Sequence, residues 1–265
     1  MDESRPRDLP DFENPPVAEV VLGLTFTTQN AMQVYHIGLY RSLIKDDLPK
    51  FREHPPLPPE GATGIQFQSG PPPFPRCWFL DAGENRLVQL QQDRFVHNWR
   101  KVKGDEKYPR YEGIRDEFIR RWKQFAEFAE REGIGRPRVS SCELTYVNNI
   151  PRGTCWSEPA EVPRLFRFLE RSPVSTTLPP PEAIVCNIQY ALPEDQGRLS
   201  VRLTPAVGEP ENTEMLQFVL SVRSARVPDA EAGVVEWFGH AREWIVRGFA
   251  DLTTKTAHDH WRRTR

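Results

Sequence analysis

Six of the fifteen residues in LVQLQQDRFVHNWRK (87–101) are Gln, Asn, His or Asp, three are Arg or Lys, and Phe95 and Trp99 stand among them. An amide offers a donor and an acceptor side by side, and a guanidinium is a planar fork that fits carboxylate or phosphate. Adjacent residues of an extended chain face opposite ways. A hairpin over this stretch therefore sets Gln89 and Gln91 against Val88 and Leu90. In its second strand Phe95, His97 and Trp99 share a face opposite Val96, Asn98 and Arg100. Gln89, Gln91, Arg94, His97, Asn98 and Arg100 are the candidate binding residues of this hairpin. Two readings stand side by side: a recognition surface, or an ordinary solvated sheet face with cross-strand polar pairs.

Carboxylates supply the second candidate. Glu19 sits inside the apolar run VAEVVLGLTF, and Glu143 sits in CELTYVNNI with Thr145, Asn148 and Asn149 close behind. A carboxylate in such a strand needs solvent or a partner. Ala18-Glu19-Val20 matches Cys142-Glu143-Leu144 in pattern, so Glu19 and Glu143 are expected as pseudo-symmetric neighbours. Each is expected to pair with an arginine such as Arg94 or Arg100. Of this group Glu143 and Asn148 join the candidate binding residues. Paired carboxylates can hold Mg²⁺ only with further ligands, and no third acid is placed by spacing.

Other chemistry is sparse. His258-Asp259-His260 has i,i+2 spacing, which sends two helical side chains to different faces. There is no P-loop, GxGxxG, GxSxG or HExxH. No catalytic residue, metal ligand or cofactor is assigned. Residues 94–123 hold ten Lys or Arg with Phe95, Trp99, Tyr108 and Tyr111 interleaved. Basic patches with stacking side chains hold single strands and nucleotides. Glu112, Asp116 and Glu117 inside the run equally suit a solvated helix face laced with ion pairs.

The composition is that of a globular chain: 265 residues, 38% hydrophobic, 27% charged, formal net charge −2. Such a balance gives no bulk attraction to nucleic acid or to an anionic membrane, so either partner needs a local patch. No apolar run approaches the roughly 18–20 residues of a membrane span, and the acidic, proline-rich start lacks a signal-peptide core. Cys77, Cys142, Cys155 and Cys186 show no CxxC or CxH spacing, which speaks for reduced thiols in a cytoplasm and against a disulfide framework or zinc site.

The elements that must position these residues follow from periodicity. Ala18, Val20, Leu22, Leu24 and Phe26 alternate, predicting a strand. Asn30 is placed to cap a helix on which Met32, Tyr35, Leu39 and Leu43 recur. After a proline-rich linker, strands are predicted at 65–68, 76–80, 86–91 and 95–101. A long helix from Pro109 carries Tyr111, Ile114, Phe118, Trp122 and Phe125 and ends at Gly133. The order then recurs: a strand at 138–150, a short helix at 162–170, strands at 183–192, 198–203 and 215–223. A last helix capped by Asp229 carries Val234, Phe238, Ala241, Ile245, Phe249 and Leu252. The expected fold is α+β, a tandem duplication of a strand–helix–antiparallel strands–helix unit. Its helices are expected on one side of a curved antiparallel sheet, and the topology resembles the TATA-binding-protein-like and helix-grip folds. The expected divisions are a flexible arm (1–14), a first repeat (15–134), a second repeat (137–256) and a tail (257–265).

Four stretches, FENPPVAEVVLGLTF, LVQLQQDRFVHNWRK, YPRYEGIRDEF and CELTYVNNIP, together resemble a sporadically distributed family of uncharacterised bacterial proteins of about 260 residues. The resemblance implies a bacterial, cytoplasmic protein, and the patchy distribution points to mobile genes such as phage defence or toxin–antitoxin loci. The functional expectation is a non-enzymatic module that binds a protein or nucleic-acid partner through its polar sheet face, with homo-oligomerisation left open. The alternative is an enzyme acting on a nucleotide or nucleic acid, with Glu19, Glu143, His97 and Arg100 in one cleft.

Overall fold

In the computed structural model, which describes residues 9–58, 74–104, 106–169, 177–179, 181–208, 212–225 and 231–265, the alternating run after Pro16 forms strand β1 (Val17–Phe26). There follow α1 (Val34–Ile44), β2 (Lys50–His54), β3 (Arg76–Leu80), β4 (Arg86–Gln91), β5 (Arg94–Arg100) and α2 (Tyr111–Arg131). The remainder forms β6 (Val139–Pro151), β7 (Cys186–Ala191), β8 (Arg198–Gly208), β9 (Thr213–Arg223), α3 (Glu231–Leu252) and α4 (Lys255–His260). The nine strands form one antiparallel sheet in the order β2-β3-β4-β5-β1-β6-β9-β8-β7. Two compact units divide the chain, one of Val20–Cys142 and one of the segment ending at Glu19 with Glu143–Arg265. They are called the middle and terminal units below, by position in the chain. No helix among the described residues is long and apolar enough to cross a membrane. The strand expected at 65–68 and the cap at Asp229 lie outside the described residues.

In the middle unit the aromatic stripe of α2 decides the packing. Tyr111, Ile114, Phe118, Trp122 and Phe125 are all buried. Phe95 of β5 lies 5.5 Å from Trp122 and is stacked 5.4 Å from Phe125, and Phe26 of β1 lies 5.8 Å from Trp122. Helix α1 lies on the same sheet face, with Tyr40 edge-on to Phe79 at 5.5 Å and to Phe125 at 5.6 Å.

The buried stripe of α1 is not the expected one. His36, Ile37, Tyr40 and Ile44 face the core, while Tyr35, Leu39 and Leu43 are 64%, 46% and 43% exposed. This short helix is apolar on both sides, so periodicity alone cannot choose its inner face. Its cap is Gln33, whose N–H donates to His36 Nδ1 at 2.9 Å, rather than Asn30. Strand β2 was expected as linker. It is an edge strand, KFREH, and charge on an edge blunts unwanted pairing while hiding the strand from a hydrophobicity reading.

The terminal unit is built on β9, which pairs with β6 on one side and β8 on the other. Helix α3 buries Val234, Phe238, Ala241, Ile245 and Phe249 as expected. Phe249 meets Phe218 of β9 at 5.9 Å. The short helix expected at 162–170 is instead two 3-10 turns, Pro159–Arg164 and Arg167–Leu169. Pro163 lacks the N–H that a regular helix interior uses.

Phe12 and Trp261 both pack into the core of this unit. Phe12, expected in a flexible arm, is 5% exposed and pairs with Arg263 in a β-bridge. Its ring contacts Phe249 at 5.4 Å, His258 at 5.5 Å and Trp261 at 6.4 Å. The expected tail from 257 holds the end of α4 and the buried Trp261. Thr254 caps α4 by accepting from the Ala257 N–H.

Candidate functional site

The hairpin β4–β5 forms with the turn at Gln92-Asp93 and a continuous register from Arg86↔Trp99 to Gln91↔Arg94. Directly paired residues share a face. Val88, Leu90, Phe95, His97 and Trp99 therefore point toward α2, and Gln89, Gln91, Arg94, Val96, Asn98 and Arg100 occupy the outer face. Phe95 and Trp99 both anchor the hairpin, at 0% and 5% exposure.

His97 was counted among the binding residues, and the structure moves it into the core. It is 2% exposed, and its Nδ1 has no hydrogen-bond partner among the described residues. Burial lowers its pKa to about 4, with Glu117 opposing the shift and Arg121, Arg86 and Arg120 adding to it. His97 and Arg100 stand three residues apart on opposite faces, so the cleft of Glu19, Glu143, His97 and Arg100 is not assembled.

The outer-face residues do form a polar row, but several hold the protein's own chain. Gln89 Nε2 donates to Asn98 Oδ1 at 2.9 Å. Gln91 clamps the segment after β2: its Oε1 accepts from the Leu57 N–H at 2.9 Å and its Nε2 donates to the Leu57 carbonyl at 3.1 Å. Arg94 donates to the Pro58 carbonyl at 2.6 Å. Gln91 and Arg94 are thus occupied by residues 57–58, a distant backbone contact that sequence spacing does not encode. Arg100 donates to the Glu84 carbonyl at 3.1 Å, and its guanidinium lies 5.6 Å from the Trp78 ring.

That ring marks what the sequence reading missed. On β3, Arg76 and Trp78 alternate with the buried Cys77 and Phe79, and Trp78 pairs with Arg52 on one side and Gln89 on the other. The Arg76 guanidinium lies 5.5 Å from the Trp78 ring, and the His54 ring stands 4.1 Å away. Lys50 and Arg52 both bond Glu84, but Arg76 has no carboxylate partner among the described residues. His54 is held below the ordinary imidazole range by burial and by Arg76 and Arg52. Burial and Arg94 lower the Arg76 pKa as well. Four buried nitrogens of this outer face, Trp78 Nε1, His54 Nε2, Arg76 Nε and Arg94 Nε, have no hydrogen-bond partner among the described residues. The signal was present in RCWFL as period-two alternation of Arg and Trp against Cys and Phe.

The terminal unit carries the other predicted residues. Glu143 is on the outer face of β6, and its partner is Arg223 of β9 (Nη2–Oε2, 2.5 Å), not Arg94 or Arg100. Thr145 and Ser221 also donate to Glu143 Oε1, at 3.1 and 3.3 Å. Asn148 faces the other way, 2% exposed, with its Nδ2 donating to the Phe218 carbonyl at 3.0 Å. It is a structural amide of the core face, one residue out of phase with the row it was assigned to. Asn149, in phase, accepts from Gln217 at 3.5 Å. Glu19 is half-buried in β1.

No group of three His, Cys, Asp or Glu among the described residues is placed to hold a metal ion. His258 Nε2 lies 2.9 Å from Thr253 Oγ1, and Asp259 is paired with Lys255. The four cysteines are free thiols, and burial raises Cys77 and Cys142 to about 12. No protein-family model and no curated protein matches the chain.

Proposed function

We propose that the chain is a non-enzymatic binding module that takes a single nucleic-acid strand on the outer sheet face of its middle unit. The observation that carries this reading is the cation–aromatic cluster of Trp78, Arg76, Arg100 and His54, in which Arg76 lacks a carboxylate partner among the described residues. Guanidiniums packed around one ring repel one another, and a polyanion offsets that repulsion. Guanidinium planes held against an aromatic ring are a common platform for backbone phosphates and bases. A bacterial cytoplasm and a defence or toxin–antitoxin setting fit this reading and the family resemblance.

The proposal extends to origin. Each unit contributes an opening strand, antiparallel strands and a long helix on one sheet face. In the strand order β1 adjoins β5 and β6 adjoins β9, in each case the last strand of its set. A duplicated ancestral unit is the simplest source of that repetition, and it supports a TATA-binding-protein-like arrangement.

The test is fluorescence anisotropy with a labelled oligothymidylate of about 15 nucleotides, within the range of single-strand site sizes. We expect saturable binding that weakens at least tenfold in Arg76→Glu. Undiminished binding in that variant, or none in the native protein, defeats the reading.

A protein partner is the second reading, favoured by the exposed Tyr35, Leu39 and Leu43 on α1. Gly38 leaves open space beside this ridge, where a Cβ meets nothing within 4 Å. A ridge next to a notch on one helix suits the same helix of a second copy. Sedimentation velocity should then show a concentration-dependent dimer that Leu39→Glu abolishes; a monomer at all concentrations rejects it.

A further inference from the structure

The outer face of the terminal unit holds a second set of groups that the nucleic-acid reading does not use. A cleft of about 540 Å³ opens there. It is lined by Glu143, Gln189, Arg198, Ser200, Ser221 and Arg223 together with residues no larger than serine. No large apolar side chain lines it, so a hydrophobic ligand has nothing to bury against.

The register gives the arrangement. Arg198 of β8 stands directly opposite Arg223 of β9, and one row along, Ser200 stands directly opposite Ser221. Like charges directly opposed across strands are destabilising. Glu143 bonds Arg223, while Arg198 reaches Gln189 Oε1, at 3.4 Å. Among the described residues Arg198 has no acidic partner, and the sheet keeps an uncompensated cation facing another.

The cleft's rim is fixed. Trp237 and Trp244 of α3 donate to the Gln196 carbonyl and to Gln196 Oε1, at 3.2 and 2.7 Å, pinning the turn that leads into β8. Gly197 in that turn has a φ of +127°, and a Cβ there falls 1.9 Å from the Arg223 carbonyl oxygen. Only glycine lets the turn approach β9 this closely beneath the two arginines.

We propose that this cleft binds a phosphoryl dianion, as inorganic phosphate or as the phosphomonoester of a small ligand. A planar carboxylate is satisfied by one guanidinium fork, whereas a tetrahedral phosphoryl group takes donors from several directions. Arg198 and Ser200, which do not bond Glu143, supply donors from one strand, and Arg223 and Ser221, which also bond Glu143, stand opposite them at the other corners of one block of sheet. The volume falls within the range of small-ligand sites and exceeds what a bare phosphate fills.

Isothermal titration calorimetry with AMP and with inorganic phosphate tests the site. We expect saturable binding of AMP, at least tenfold weaker in Arg198→Gln and weaker in Ser200→Ala. The Tm of Arg198→Gln should be unchanged or higher, because a like-charge opposition is relieved. Equal affinity for the two probes names the free ion as the ligand, and tighter AMP binding names the ester; both uphold the phosphoryl site. Arg76→Glu, in the other unit, should leave AMP binding intact, which separates this proposal from the nucleic-acid reading. No saturable heat with either probe, or undiminished AMP affinity in Arg198→Gln, overturns it.

Discussion

His97 stays neutral because the folded protein gives its proton no favourable place. Its folded pKa is about 4 against an ordinary 6.5, with burial the main cause. A depressed folded pKa contributes stability above the unfolded value and loses it as pH falls through the folded one. The loss should therefore develop between about pH 6.5 and pH 4. A shift of this size corresponds to about 3 kcal/mol at most. Urea unfolding at pH 7.5 and 4.5 should show a smaller acid-side loss in His97→Gln than in the native protein. Equal losses would place the acid sensitivity elsewhere. Arg100 falls between the two extremes its position allows. It is neither a free surface arginine nor the partner of a buried carboxylate: it donates to the Glu84 carbonyl, and Glu84 Oε2 lies 3.9 Å from its Nη2. Arg100→Ala should cost about 1 kcal/mol, the net worth of one such hydrogen bond. A chemical denaturation midpoint shifted by several times that amount contradicts this assignment.

Among the elements, α2 is legible in the sequence because only one of its faces is apolar. Trp122, 7% exposed and in contact with Phe26, Phe95 and Phe125, should cost about 3–5 kcal/mol when cut to alanine. A loss below about 1 kcal/mol is incompatible with that packing. Helix α1 shows the converse. Its two apolar stripes are Tyr35, Leu39, Leu43 and Ile37, Tyr40, Ile44, and only the Tyr40 side meets Phe79, Phe125 and Phe128. Phe12, ahead of β1, belongs to the terminal unit's core. Phe12→Ala should destabilise the protein by about 3–5 kcal/mol, read as a lowered thermal midpoint. A flexible arm would show no change.

For the molecule as a whole, a net charge of −2 gives no general attraction to polyanions, so nucleic-acid binding has to come from the local cluster. The logarithm of the affinity for an oligothymidylate should fall linearly with the logarithm of salt, with slope about −0.7 per phosphate contacted. Arg76→Ala should reduce the slope by roughly one contact. Affinity should also rise as pH falls through and below the ordinary imidazole range, because a bound anion favours protonation of His54, which burial and its cationic neighbours oppose. Titrations across salt and pH check both; a salt-independent affinity points to apolar or base-specific contacts instead.

Local pattern determined the elements. Period-two alternation places β1 and the β4–β5 hairpin, a single aromatic stripe places α2, and proline and glycine mark their limits, since these depend on neighbours within a few residues. The division of the hairpin into an anchoring face and a polar face follows from the same alternation. Tertiary structure decided what each polar residue meets. Gln91 clamps Leu57 thirty-four residues away, Glu143 pairs with Arg223 eighty residues away, and Arg198 comes to face Arg223 through the β8–β9 register. Asn148 and His97 lie on the buried faces to which alternation with Leu144, Tyr146 and Ile150, and with Phe95 and Trp99, already assigns them. A side chain's type records the bonds it can make, and the partner that satisfies them is chosen by the fold's long-range register, which no local spacing carries.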